Sequence, residues 1–279
     1  MMRFNICVTK PENYVHSYAF MELSELIYFS LKEIGFDVTF GFNRIESDAR
    51  NIIIGCHLLD PKYMNEVPKS SIVLNTEQIY ADKIEWNKNI FSWVQNFEVW
   101  DYNERNIEKL LSLGVENPKI LKIGYQSQLA KIIKSETKDV DVLFYGSINE
   151  RRKFIIDQLL LHGLKVKILF GVYGKERDDW IGRSHIVLNH HFYDSQIFEI
   201  VRVFYLMTNS VAVVGEVNDT TYIDEMCREG VYGAKYEDLV TACLHIVKNK
   251  AIRDKLANNG FNSIFKHPQK VYMLQMFEK

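Results

Sequence analysis

The sequence predicts an α/β protein built from two Rossmann-like, doubly wound domains facing across a cleft. Three observations carry that expectation. Short runs rich in β-branched and aromatic residues alternate with segments of helical period along the whole chain. The runs are continuously apolar rather than alternating, which marks strands buried on both faces, as in parallel sheets covered by helices. The chain has 279 residues, and at roughly 150 per domain that is length for about two such domains.

In chain order, the apolar runs place strands over residues 4–8, 38–42, 51–55, 71–74, 97–99 and 119–123, then over 140–145, 165–170, 186–189, 211–215 and 230–234. Helical periodicity between them places helices over 17–33, 105–113, 151–161, 196–207 and 222–228, and residues 237–265 read as mostly helical with a break at Asn258-Asn259-Gly260. Residues 125–139 are polar and mixed in charge and follow a complete set of β/α units, so they read as a linker. The expected domains are 1–130 and 131–279, with the last helix returning to the first. No repeat or low-complexity segment interrupts the pattern.

Composition excludes several classes. Hydrophobic residues make up 47% and charged residues 25%, so the chain is neither disordered, collagen-like nor a coiled coil. Lys and Arg total 34 against 36 Asp and Glu, a net charge of −2, so no overall basic field draws in a nucleic acid. No uncharged apolar stretch reaches the roughly 18 residues of a membrane-spanning helix. The first residues lack the apolar run and small-residue cleavage site of a signal peptide. The four cysteines (Cys7, Cys56, Cys227, Cys243) are far apart with no Cys-x-x-Cys pair, as expected of buried free thiols in a reducing cytoplasm. Residues 131–138 are the stretch where peripheral contact with lipid headgroups is open.

In open α/β sheets ligands bind beyond the carboxyl ends of the strands, and each chemically promising segment is placed there. Tyr145-Gly146-Ser147-Ile148-Asn149-Glu150-Arg151-Arg152 joins a strand to a helix. A Gly-Ser turn exposes backbone N–H groups at a helix start, where an anion is favoured, and Arg151 or Arg152 adds a bidentate grip on phosphate; the alternative is an ordinary turn capped by Ser147 or Asn149. In Val187-Leu188-Asn189-His190-His191 a strand opens into a loop, with Asn189 and His190 placed for hydrogen bonds. Adjacent histidines on a strand point to opposite sides, against a shared metal. Glu199 and Arg202 are three residues apart and share a helix face. Glu216 ends the next strand, where a carboxylate suits sugar hydroxyls.

In the first half, His16, Glu77 and Asp101 follow strands, and His16 or Glu77 fits general acid–base work, while Asp101 equally suits a helix cap. Trp86, Trp93 and Trp100 read as core, with any exposed one free to stack on a sugar ring. Neither a Gly-x-Gly-x-x-Gly fingerprint nor a P-loop is present.

Asp141-Val142-Leu143-Phe144-Tyr145-Gly146-Ser147 with Asn149-Glu150-Arg151-Arg152, Ser184-His185-Ile186-Val187-Leu188-Asn189-His190-His191, Phe198-Glu199-Ile200-Val201-Arg202 and Asn209-Ser210-Val211-Ala212-Val213-Val214-Gly215-Glu216 together resemble the C-terminal half of bacterial GT-B glycosyltransferases with a family 1/family 4-like nucleotide-sugar domain. The chain departs from that pattern: Asn209-Ser210 stands where Cys-Gly is common, and Ile197 and Tyr205 stand where two glutamates usually fall. The resemblance implies an acceptor-side N-terminal domain and a C-terminal domain that binds a nucleotide-sugar donor through Gly146, Ser147, Arg151, Arg152, Asn189, His190, Glu199, Arg202 and Glu216. It implies transfer of a sugar to a hydroxyl of a glycan, such as a bacterial surface polysaccharide, or of a small acceptor, with no cofactor besides the donor substrate and no metal. The one Asp-x-Asp triplet, Asp139-Val140-Asp141, opens a strand at its amino end. Glu77 is the preferred proton acceptor, with His16 second. A nucleotide-sugar epimerase of the same fold and a non-catalytic nucleotide-sugar-binding protein are the alternatives.

Overall fold

The computed structural model describes residues 2–79, 84–192 and 197–278, and no side chains for 84–87. Gln196, the expected start of one helix, and the side chain of Trp86 lie outside the described residues. Eleven strands and ten α-helices are described: β1 (Arg3–Val8), α1 (Met21–Glu33), β2 (Asp37–Phe42), β3 (Arg50–Ile54), β4 (Ile72–Leu74), α2 (Ile84–Val94), β5 (Glu98–Asp101), α3 (Glu104–Ser112), β6 (Lys119–Ile120), β7 (Val140–Tyr145), α4 (Glu150–Leu161), β8 (Val166–Leu169), α5 (Gly174–Arg183), β9 (Ser184–Asn189), α6 (Ile200–Thr208), β10 (Val213–Glu216), α7 (Glu225–Arg228), β11 (Val231–Ala234), α8 (Leu239–Lys248), α9 (Lys250–Phe265) and α10 (Gln269–Gln275). They form two compact units, Met1–Ile123 with Gln269–Lys279, and Gly124–Pro268.

The first unit is a six-stranded sheet in the order β2-β1-β3-β4-β5-β6, parallel throughout. In-register neighbours such as Ile6↔Ile52 and Ile53↔Val73 are buried on both faces, which is why these strands read as unbroken apolar runs. Helix α1 buries Leu23, Leu26, Ile27 and Leu31, the three-and-four spacing of one helical face, and Gly35 follows it at φ 93°, a conformation glycine adopts without Cβ strain. Helix α10 packs against α1. Beyond it, Phe277 meets Phe4, Phe36 and Trp100 with ring centres 5.4, 5.2 and 6.1 Å apart. Trp93 and Trp100 are completely buried, so neither is the exposed ring that would stack on a sugar.

The second unit is a five-stranded parallel sheet in the order β11-β10-β9-β7-β8. Its core joins Val142, Ile186, Leu188 and Val214 to Ile155 and Leu159 of α4 and to Leu239, Cys243 and Ile246 of α8. Residues 125–139, expected as a linker, are strapped to this unit. Asn209 donates to the Leu129 carbonyl at 2.9 Å and accepts from Ile132 N–H at 2.8 Å, and Ser135 N–H donates to the Gly182 carbonyl at 3.1 Å. A Cβ on Gly182 would lie 2.2 Å from the Ile133 carbonyl oxygen, so the strap requires glycine there.

The break expected at Asn258-Asn259-Gly260 is absent, and α9 runs through it. Gly260 is needed for another reason: a Cβ there would lie 3.0 Å from the Gly230 Cα, and this close approach offsets glycine's cost of roughly 0.5–1 kcal/mol inside a helix. Helices α2 and α5 lie where periodicity had indicated none, and α7 is confined to Glu225–Arg228.

Candidate functional site

The residues singled out in the second half converge at the carboxyl ends of β7, β9 and β10. The turn after β7 contains Gly146 at φ 133°. A Cβ on Gly146 would lie 3.1 Å from Arg202 Nη2 and 3.6 Å from Arg152 Nη1. Two guanidinium groups therefore press on bare backbone just before α4. Asn149 caps that helix, accepting from Arg152 N–H at 3.0 Å. The cap is thus Asn149, while Ser147 is exposed and gives its carbonyl to Arg152 Nη1 at 2.9 Å. The first turn of α4 and its dipole favour an anion at this end.

The three arginines have different tasks. Arg152 is 4% exposed. It donates to the His190 carbonyl from Nε at 3.1 Å and Nη2 at 2.6 Å, and Nη2 lies 3.4 Å from Glu199 Oε1. Arg151 grips Glu216 with both terminal nitrogens, at 2.6 Å from Nη1 to Oε2, and its guanidinium lies 3.9 Å from the centre of the Tyr236 ring. Arg202 donates to Asn189 Oδ1 at 2.6 Å and lies over Tyr145 at 4.9 Å, leaving Nε buried without a hydrogen-bond partner. Of the three, Arg202 has a buried donor still to be used.

Glu199 and Arg202 do not share a helix face, because Glu199 is the N-cap of α6 rather than part of it. Both are tied to Asn189, whose Nδ2 donates to Glu199 Oε2 at 3.1 Å. His191 Nδ1 lies 3.3 Å from the same oxygen. Burial pushes the Glu199 carboxyl up, but His191, Arg202 and Arg152 outweigh it and hold the group at about 2. Glu199 is therefore the fixed anion that allows arginines to gather here. Glu216 is fully buried and accepts from His191 N–H at 3.0 Å and Asn218 Nδ2 at 2.6 Å. Its carboxyl is lowered by hydrogen bonds from Arg151 and Asn218, against burial.

His190 turns inward beside Phe144, ring centres 5.2 Å apart, with both ring nitrogens unpartnered. Burial, then the Arg152 charge, push it down to about 3, so it is neutral. Its backbone carbonyl, not its ring, serves the site. His191 and Tyr145, from the two motifs already noted, belong to this cluster, and so does Tyr236, which no spacing signal singled out and which arrives from more than eighty residues away. The Asp139-Val140-Asp141 carboxylates lie at the opposite end of the sheet, Asp139 held by Arg183 and Asp141 by Lys165 N–H at 2.8 Å.

In the first unit, Glu77 follows β4 and Asp101 ends β5. Asp101 is fully buried. It accepts from Asn75 Nδ2 at 2.7 Å, Asn106 Nδ2 at 3.0 Å and Asn103 N–H at 2.8 Å. Burial pushes its carboxyl up to about 7 despite these donors. Asp101 does not cap α3; Asn103 does, accepting from Asn106 N–H at 3.2 Å. The two asparagines also hold the Glu77 carbonyl, at 2.7 and 2.9 Å, so Asp101 orients the Glu77 loop from behind.

Glu77 Oε1 lies 3.4 Å from His57 Nε2. Burial pushes Glu77 up to about 7 and His57 down to about 4. His57 went unnoticed in the sequence, where Gly55-Cys56-His57 after an apolar strand was its one signal. His16 lies in a 3-10 helix, Val15–Phe20, its ring 5.4 Å from Tyr14. Tyr14 in turn feels the Glu77 charge.

Known structures resemble the chain over its whole length. T4 phage BGT in complex with UDP-glucose superposes with a TM-score of 0.61 at 10% identity, covering 99% of this chain and 98% of that one. Anabaena HepE in complex with UDP-glucose gives 0.63 at 10% identity over 99% and 98%. WaaG, a glycosyltransferase involved in lipopolysaccharide biosynthesis, gives 0.60 at 10% over 99% and 100%. The fold is GT-B.

At this identity the likeness establishes the fold. Among sequence relatives, uncharacterized protein L137 of Acanthamoeba polyphaga mimivirus is 28% identical over 221 residues, 75% of this chain and 29% of its own length. Uncharacterized protein R358 of the same virus is 26% identical over 254 residues, 86% of this chain and 84% of its own. The chain thus spans less than a third of L137. No protein-family model matches. Among the described residues no helix is long and apolar enough to cross a membrane.

Proposed function

We propose that this GT-B chain transfers a sugar from a nucleotide-activated donor, a UDP-sugar first among them, to a hydroxyl of a glycan or small acceptor, surface polysaccharides included. The observation that carries the reading is the arginine-lined turn at Gly146. Arg202 Nη2 faces that turn, just before α4, and its Nε is buried without a hydrogen-bond partner. A departing nucleoside diphosphate gains negative charge, and prealigned cations with helix N–H groups stabilise it without reorganising. That anion can be met by Arg202, Arg152 and the first turn of α4, which supports the proposal that no metal is required.

Glu216, now engaged by Arg151, is the group we assign to donor hydroxyls. The acceptor hydroxyl's proton goes to Glu77. Its pKa of about 7 suits a base working near neutrality, and His57 and the Asp101-anchored loop fix its position. We place the protein in the cytoplasm, in keeping with four buried free thiols.

The test is a panel of nucleotide sugars with and without added acceptors, run with EDTA and with Mn2+. Acceptor-dependent release of a nucleoside diphosphate in EDTA is the expected result. Conversion of the donor sugar without acceptor would mark an epimerase, and dependence on Mn2+ would overturn the metal-independent reading.

A further inference from the structure

The opposite end of the five-stranded sheet carries a second charged concavity. β9 runs from Ser184 to Asn189. At about 3.3 Å per residue its two ends are about 17 Å apart, and Asn189 belongs to the arginine cluster while Ser184 and His185 line a separate pocket of about 270 Å³. The pocket is walled by the strap, by the approach to β10 at Ser210-Val211-Ala212 and by α9. Its volume is below the roughly 300–1,000 Å³ typical of sites for larger small molecules, so a compact ligand is indicated.

Its charged lining is unbalanced. Lys134, Lys138, Lys250 and Arg253 face Glu136 and Asp254. Asp254 is already paired with Lys250 one helical turn away. Lys138 Nζ is held by the Ser184 carbonyl at 2.6 Å, and Arg253 Nη1 by the Ile246 carbonyl at 3.0 Å. Lys138 and Arg253 are thus held by backbone oxygens, and Asp254, already paired with Lys250, offsets their charge only in part. Burial lowers the Lys138 ammonium, and the charges of Lys134 and Arg253 lower it further; His185 is lowered by burial and then by Arg253 and Lys138. The groups repel one another, and an anion among them would reverse that repulsion.

Beside the pocket, Ile133 is 85% exposed, although its backbone is clamped against Gly182. An apolar side chain held out into solvent between Lys131 and Lys134 suits a surface with an apolar layer beneath an anionic one.

We propose that this pocket binds a phosphate ester between Lys134, Lys138 and Arg253, supplied as a phospholipid headgroup or as a free phosphorylated small molecule. The site is independent of the donor site and of the transferase reading. The two sources separate in one experiment. Binding of the full chain is measured to phosphatidylcholine vesicles with and without phosphatidylglycerol, and in solution to glycerol phosphate, for wild type, Lys134→Ala/Lys138→Ala and Ile133→Ser. All three residues are exposed, and unchanged thermal midpoints check folding.

Removing two lysines near an anionic surface is expected to weaken vesicle binding roughly 30-fold, about five-fold each. A headgroup source predicts binding that needs phosphatidylglycerol and weakens in both variants. A free phosphate ester predicts glycerol phosphate binding lost in the lysine variant and untouched by Ile133→Ser. No binding in either arm, or binding indifferent to Lys134 and Lys138, would overturn the proposal.

Discussion

Replacing Arg202 by alanine separates ligand binding from folding in the second unit. Among the described residues the guanidinium donates a hydrogen bond to Asn189 Oδ1 at 2.6 Å and lies over the Tyr145 ring at 4.9 Å. These are worth about 1 kcal/mol and about 0.5–1 kcal/mol. The Arg202 charge also opposes Arg152 and supports Glu199, two effects of opposite sign that offset one another. The variant should therefore lose only about 1.5–2 kcal/mol of stability. A diphosphate held by Arg202 would lose a charge-assisted contact of about 1.5–3 kcal/mol, which weakens binding about 10- to 150-fold.

Arg152→Ala is the contrasting case. It leaves the buried His190 carbonyl without its two donors and takes a buried cation from Glu199, a loss of about 3–5 kcal/mol of folding free energy. Urea unfolding measures the first quantity and calorimetric titration with UDP the second. A folded Arg202→Ala protein that binds UDP as tightly as wild type would refute the assignment of the unused donor to the donor phosphates. Unfolding as severe as that of Arg152→Ala would refute the division of roles between the two arginines.

Gly146→Ala should cost about 1–3 kcal/mol of stability, since φ 133° strains any L side chain and the new Cβ meets Arg202; a thermal midpoint within error of wild type would contradict the turn geometry. Asp101→Asn should destabilise the first unit by about 1–3 kcal/mol, because three donors converge on the carboxylate and an amide turns its NH2 toward at least one of them; urea denaturation reads this. With Glu77 as proton acceptor at about 7, kcat/KM should rise with pH through that value and level off above it, and Glu77→Gln should lower the rate about 10²- to 10⁴-fold while UDP still binds.

The same shift has an opposite consequence for stability. The native state holds the Glu77 proton more tightly than the unfolded chain. Its contribution is therefore complete below the ordinary value of 4.5 and lost as pH rises through about 7. Glu77→Gln should flatten that decline, and an unchanged pH profile of stability would reject the buried-carboxyl account.

The inner strands, such as β1, β3 and β9, were legible because burial on both faces demands runs of apolar residues, a constraint that acts on neighbours in sequence. The helices were less so. α5, Gly174–Arg183, buries Arg177 and Asp178 along with Ile181, and a helix that buries charge carries no clean apolar stripe. Asn258-Asn259-Gly260 looked like a stop because local propensity opposes helix there, whereas the contact with Gly230 required the glycine.

Chain chemistry by itself determined two parallel α/β sheets, an anion-favouring turn at Gly146 and a supply of arginines and carboxylates at strand ends, since each of these is written in residues adjacent along the chain. Tertiary structure decided how those charges are shared: Arg151 with Glu216, Arg152 with two carbonyls, Arg202 with a donor to spare, and His57 beside Glu77. It also decided that the strap of residues 125–139 belongs to the second unit and that Phe277 closes the first. The physical reason is range. Hydrophobic periodicity acts over a few residues, while ion pairing, desolvation and close backbone approach act between groups that only the fold brings within a few ångströms.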